Sequence, residues 1–174
     1  LVTPAEQRKP VMFTFNHMLT AVQFQTHFKC KVKSVAIKNV YNSGTFSFEP
    51  RVGWSVNTTG DGVKSDYVVS FGDDGKEFKK DSMITSGENT MILIPQALPD
   101  DAMVEMVCCP YDEENGVYLA EKKFTASLKG KVWKQKKIIT YILHDKKEHN
   151  FIYLDLAAGN VEISKTEYKG YCYE

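Results

Sequence analysis

The sequence has no excess charge of either sign, no long hydrophobic run, no paired-cysteine motif and no sustained helical period. Each absence removes a class of protein. Lys+Arg and Asp+Glu both number 22. Without clustered, uncompensated positive charge, nucleic acid is excluded as a primary ligand. No apolar run approaches the ~20 residues of a membrane-spanning helix, so no membrane span is expected in this chain. The four cysteines, at 30, 108, 109 and 172, contain no C-x-x-C pair, so zinc-ribbon spacing is missing. They read as small buried side chains or as disulfide partners, and leave the redox compartment open. Cys108 and Cys109 are adjacent, so at most one of them faces a core if that segment is a strand.

Chemistry-bearing motifs are equally scarce. There is no G-x-G-x-x-G, no G-x-x-x-x-G-K-[ST] and no G-x-S-x-G, so nucleotide binding and serine hydrolysis have no sequence support. The stretch GDDGKEFKKD (Gly72 to Asp81) lacks the D-x-D-x-D-G alternation of a calcium loop and carries lysines instead. His144, Asp145, Glu148 and His149 are grouped closely enough for a metal site, but Lys146 and Lys147 between them would repel a cation. They are expected to be an ordinary solvated loop. The expectation is a protein with no catalytic residue, no metal and no cofactor.

What the sequence does contain is strands. KVKSVAIKNVY (Lys31 to Tyr41), TFSFE after the Asn42-Ser43-Gly44 turn, and DYVVSF (Asp66 to Phe71) read as extended. So do AMVEMVCC (Ala102 to Cys109), IITYIL (Ile138 to Leu143), FIYLDL (Phe151 to Leu156) and VEIS (Val161 to Ser164). MILIP (Met91 to Pro95) is a continuous apolar run, expected as a strand buried on both faces. Gly72 to Asn89 is charged and glycine-containing, expected as a long loop with at most one weak strand. About 7–10 short strands separated by turn signals predict an all-β protein, a β-sandwich. Trp54, Trp133 and most of the phenylalanines are expected in its core, with Val35, Ile37, Leu93 and one of Tyr141 and Ile142.

FTFNHMLTAVQF (Phe13 to Phe24) is the one segment with a parity problem. Phe13 and Phe15 are on odd positions, while Met18, Val22 and Phe24 are on even ones. Either a β-bulge near His17 turns the strand over, or Phe15, Met18, Leu19 and Val22 mark a helical turn. The bulge is preferred, with the His17 imidazole bonding a backbone group exposed there.

These segments together resemble the fimbrillin family of surface proteins from Bacteroides-type bacteria. The resemblance runs through Phe15-x-His17-x-Leu19-x-x-Val22, the Val35 to Gly44 stretch, Leu93 to Gln96, and the Trp133 to Tyr141 connection, in that order. Gln135 stands where the family usually has glycine. The resemblance implies a transthyretin-like Greek-key sandwich, a lipoprotein precursor and a place in fimbriae (pili) at the cell surface or outer membrane. It implies cell adhesion as a role and other pilus subunits as partners, with host or bacterial surface proteins or glycans as further partners. The N-terminus LVTPAEQRKP is neither a signal peptide nor a methionine start. The chain is therefore expected to be mainly the C-terminal domain of a longer subunit, with residues 1–10 a flexible lead-in and 11–174 the sandwich domain.

Subunits of such a family join by strand donation, and the C-terminal stretch is the candidate exchange segment, carrying Val161, Ile163, Tyr168, Tyr171 and Tyr173. The three tyrosines read either as packing of a last edge strand or as contacts for a glycan or partner. Asp81-Ser82-Met83 is similar to the O-glycan acceptor triplet of the same bacterial group, which makes Ser82 a candidate modification site.

Overall fold

The computed structural model describes residues 17–49, 52–145, 152–155 and 161–162. Among these there are thirteen strands, one single-turn 3-10 helix (Gly87–Asn89) and no α-helix. The chain is an all-β sandwich.

The first sheet has β1 (Thr20–Thr26) beside β11 (Lys137–Asp145) on one side and β7 (Met91–Leu93) on the other, with β12 (Ile152–Asp155) outside β11. β13 (Val161–Glu162) pairs with the first residues of β11. The second sheet has the order β10 (Lys122–Ser127), β8 (Met103–Asp112), β2 (Cys30–Tyr41), β5 (Lys64–Ser70). β6 (Lys76–Phe78) and β9 (Val117–Tyr118) add short pairings to β2 and β8. β3 (Gly44–Ser47) and β4 (Gly53–Val56) form a separate two-stranded hairpin. Its entry requires glycine: a Cβ on Gly44 would meet the Ser55 carbonyl oxygen at 2.7 Å.

β1 and β11 run parallel, against antiparallel pairing elsewhere. This one pairing brings Val22 opposite Ile139 and Phe24 opposite Tyr141, whose rings stack with centroids 5.8 Å apart. Between the sheets lie Val22, Phe24, Val32, Val35, Ile37, Leu93, Met106, Trp133, Tyr141 and Leu143, all buried, while Ile142 faces the other way and is half-buried.

The parity problem resolves differently from the sequence expectation. His17, Met18 and Leu19 precede β1 and belong to no strand or helix, and His17 is exposed, so among the described residues no bulge forms there for its imidazole to satisfy. Phe13 and Phe15 lie outside the described residues. The bulges are in β2, where the register shifts between Val32 and Ser34 against β8 and between Ile37 and Val40 against β5. Val32, Val35, Ile37 and Val40 change parity twice, yet none is exposed, because each extra residue restores the inward face. Asn39 takes the positive φ of 59° that the second bulge needs, a conformation asparagine tolerates better than most residues.

Two further expectations are corrected. MILIP is not buried on both faces: β7 is a three-residue edge strand and Ile92 is 57% exposed. Trp54, Phe46 and Phe48 lie outside the main core, as a cluster on the β3–β4 hairpin.

Candidate functional site

The residues that carry the sequence resemblance are mostly inter-sheet ties. Gln96 is the clearest case. Its backbone pairs with Trp133 in both directions, N–H to carbonyl at 3.0 and 2.8 Å. Its side chain reaches the other sheet, where Oε1 accepts from Tyr41 N–H and Nε2 donates to the Tyr41 carbonyl, both at 2.9 Å. A buried amide thus imitates a strand partner for the end of β2. Trp133 in turn donates its indole N–H to the Tyr141 hydroxyl at 2.9 Å, inside the core. Burial pushes the Tyr141 hydroxyl above its ordinary pKa. None of these groups is available to a ligand.

Function must therefore be sought on edges and faces. β10 and β12 approach each other and draw the sheets together on one side. On the opposite side β5 and β7 end their sheets, and no strand among the described residues pairs with their outer edges. Tyr67, Val69 and Phe71 pack against the core from the β5 margin while remaining partly exposed. Beyond β7, the segment after Asp81 covers the rest of β1. Thr26 N–H donates to the Ser82 carbonyl at 3.0 Å, and the Ile84 N–H donates to the Phe24 carbonyl at 2.7 Å. A short strand plus an irregular strap is a common way to blunt a sheet edge. The β5 edge has no such cover among the described residues.

The β3–β4 hairpin is the second distinctive surface. Phe46 stacks edge-on against both Phe48 and Trp54, with centroids 5.0 and 5.6 Å apart. Phe48 is 70% exposed and Val52 66%. The Trp54 indole N–H donates to the Met18 carbonyl at 2.6 Å, tying the hairpin to the chain entering β1.

The outer face of the second sheet is a row of alternating charges. Glu105 accepts from Lys38 at 3.1 Å and from Lys123 at 2.8 Å, and Lys38 also reaches Asp66 at 4.0 Å. Lys33–Glu121 and Lys64–Asp101 flank this row. Burial pushes the Glu105 carboxyl upward in pKa, but the hydrogen bonds from Lys123 and Lys38 outweigh it and hold the group below the usual 4.5. A depressed folded-state pKa stabilises above the unfolded value and is lost as pH falls through the folded one. The stability gap between the wild type and Glu105→Gln is therefore expected to be full above about pH 5 and to shrink at lower pH. Urea midpoints at pH 7, 4.5 and 3 check this.

At the end of the second sheet, Lys29 lies 3.6 Å above the Tyr111 ring and 3.7 Å from Glu77, and Tyr111 packs edge-on against Tyr118. Burial, reinforced by Glu77, pushes the Tyr118 hydroxyl up to about 12. The ring contacts hold β9 on β8, while the Tyr118 hydroxyl is buried without a hydrogen-bond partner among the described residues.

Of the other sequence candidates, His144 stands in β11 rather than in a loop, with its ring 4.7 Å from that of His27, whose Nδ1 contacts the Asp81 carboxylate. Glu148 and His149 lie outside the described residues. Ser82 is half-buried and follows Asp81, whose φ is +63°. Cys30 and Cys108 are buried thiols and Cys109 is half-buried. Val161 is in β13, opposite Ile138, while Ile163, Tyr168, Tyr171 and Tyr173 lie outside the described residues, as do residues 1–10.

Among known proteins, no family model and no curated protein matches this chain. Two solved structures do. One is described as a "putative cell adhesion protein" from Bacteroides ovatus, with 13% identity and a TM-score of 0.50, the match covering 87% of this chain and 47% of that one. The other is a fimbrial protein from Bacteroides vulgatus, with 14% identity and a TM-score of 0.50, covering 86% and 56%. The chain spans about half the length of these proteins, and the likeness at such identity is one of fold.

Proposed function

We propose that this chain is a structural subunit of, or an accessory protein on, a bacterial cell-surface fimbria. The observation that carries the reading is the sandwich fold shared with a fimbrial protein, combined with a β5 edge that no strand among the described residues pairs. An open sheet edge presents unpaired backbone groups to an incoming strand, the general mode of β-strand addition. In this reading the fold is transthyretin-like, the protein is made as a lipoprotein precursor and reaches the outer membrane, and its partners are other pilus subunits. No catalytic step, metal or cofactor forms part of the proposal. Ser82 is its O-glycan acceptor.

The C-terminal stretch from Val161 to Tyr173 is the proposed exchange segment. Its first two residues already pair at a sheet margin, beside Lys137 and Ile138. Deleting Lys165 to Glu174 is expected to leave the sandwich folded and to shorten or abolish polymers formed by the full-length protein on cells. Polymers of normal length from a stably folded deletion would rule out this donor.

The aromatic hairpin favours a second reading, a surface module that binds a glycan or protein without polymerising. Exposed Phe48 beside Phe46 and Trp54 offers ring area at low entropic cost.

A further inference from the structure

The β3–β4 hairpin has two unlike faces. Thr45 and Ser55 are cross-strand partners on one face, and both are exposed. Phe46 and Trp54 are partners on the other, and Phe48 and Val52 continue that alternation toward the tip. The rings run as a ladder, Trp54 to Phe46 to Phe48, in steps of 5.6 and 5.0 Å. No strand among the described residues pairs with the outer edge of either β3 or β4. A two-stranded hairpin is marginally stable alone in water and needs a further strand or a cover for its apolar face. Among the described residues the outer rung has neither: Phe48 is 70% exposed and Val52 66%.

The chain entering β1 starts beside this ladder. The Trp54 indole N–H donates to the Met18 carbonyl at 2.6 Å, and the next two residues are fixed as well. The Leu19 carbonyl accepts from Lys136 N–H at 3.1 Å, and Thr20 Oγ1 donates to the Lys134 carbonyl at 2.8 Å. The residues before His17 therefore leave from the Trp54 end of the ladder. They read VMFTFN (Val11 to Asn16), with apolar Val11, Met12, Phe13 and Phe15.

We propose that residues 11–15 of this chain lie along the hairpin's apolar face, Phe15 against Phe46 and Phe13 against Phe48. Extended chain advances ~3.3–3.6 Å per residue, so Phe15 reaches ~10 Å from Met18 and Phe13 ~17 Å. Both rungs beyond Trp54 fall inside that reach. Residues two apart in extended chain share a face at ~7 Å, close to the spacing of the rungs. The same contact accounts for the parity change between Phe13 and Phe24. Phe13 and Phe15 face the hairpin, Val22 and Phe24 face the space between the sheets, and the irregular residues His17 to Leu19 separate them. The occupant is this segment because it is tethered where the apolar face begins. A short tether closes the contact at little entropic cost and at high effective concentration. The contact depends on neither functional reading. Its consequence for the second is regulatory, since a glycan or protein reaches these rings only by displacing residues 11–15.

Nuclear Overhauser cross-peaks between aromatic rings, measured on the full chain, test this directly. Phe13 and Phe15 are expected to show them to Phe46, Phe48 or Trp54. The double variant Phe13→Ser, Phe15→Ser should shift the Phe46 and Phe48 ring resonances and speed exchange of the Trp54 indole proton with solvent. Ile92→Ser, at an exposed site on β7, should do neither. Phe13 and Phe15 rings at random-coil shifts, or with cross-peaks only to other parts of the chain, would overturn the proposal. So would a double variant whose Phe46 and Phe48 resonances stay in place, or one whose shifts Ile92→Ser reproduces. If the double variant fails to fold, the wild-type cross-peaks decide.

Discussion

Trp133→Ala is expected to cost about 3–5 kcal/mol of stability, the usual range for emptying a buried large aromatic site. Trp133 is 2% exposed and among the largest fully enclosed side chains of the core. Its removal leaves a void between the sheets and deprives the Tyr141 hydroxyl of its indole donor. The connection around it is held on both sides, by Gln96 and by the bond from Thr20 Oγ1 to the Lys134 carbonyl at 2.8 Å. Collapse onto the cavity is therefore restricted, which favours the upper part of that range. With a urea dependence of about 2 kcal/mol per molar, the midpoint should fall by roughly 1.5–2.5 M. Trp133→Phe fills most of the space but gives up the N–H, and should fall between the two. An unchanged midpoint in the alanine variant would show that Trp133 does not tie the sheets together.

Gln96→Leu should rank next, at about 2–5 kcal/mol. Leucine is similar in size, so the loss is not one of volume. It strands the N–H and carbonyl of half-buried Tyr41, and a backbone group left unbonded away from water costs about 1–3 kcal/mol. Gln96→Glu separates this account from simple packing. An ionised carboxylate accepts from Tyr41 N–H but has nothing to donate to the Tyr41 carbonyl, whereas the protonated acid has an O–H for it. Desolvation also raises the pKa of a buried carboxyl. The raised folded-state pKa means the protonated form stabilises at low pH and that contribution disappears as pH rises. Gln96→Glu should therefore lie furthest below the wild type at pH 7 and recover part of the gap toward pH 5. A gap that stays constant with pH would contradict the two-way amide bond.

These residues show what the sequence could and could not reveal. Val35, Ile37, Leu93, Trp133 and Tyr141 were legible as core, because apolar residues at period two mark an inward face without knowledge of the partner strand. The role of Gln96 was not legible. Its partner Tyr41 is 55 residues away, and nothing local distinguishes a bonding glutamine from a solvated one. The β2 bulges did leave a signal, the double parity change Val32, Val35, Ile37, Val40, but the same signal at Phe13 to Phe24 drew attention to the wrong strand. Ile92 and Trp54 were misplaced for a common reason. Alternation says that a side chain is apolar and on one face, not whether another sheet covers that face. The edge position of β7 and the separation of the β3–β4 hairpin are properties of topology, and only the assembled fold supplies them.

The proposed role rests on this sandwich being displayed on the cell surface as part of a filament. Shearing surface filaments from cells that carry the full-length gene, and sequencing the purified fibres by mass spectrometry, tests that most directly. The account predicts that peptides of this chain, such as those spanning Val35 to Gly44 and Trp133 to Tyr141, co-purify with the fibres. Their confinement to the soluble cell interior, with fibres free of them and no surface labelling by antibody, would contradict it.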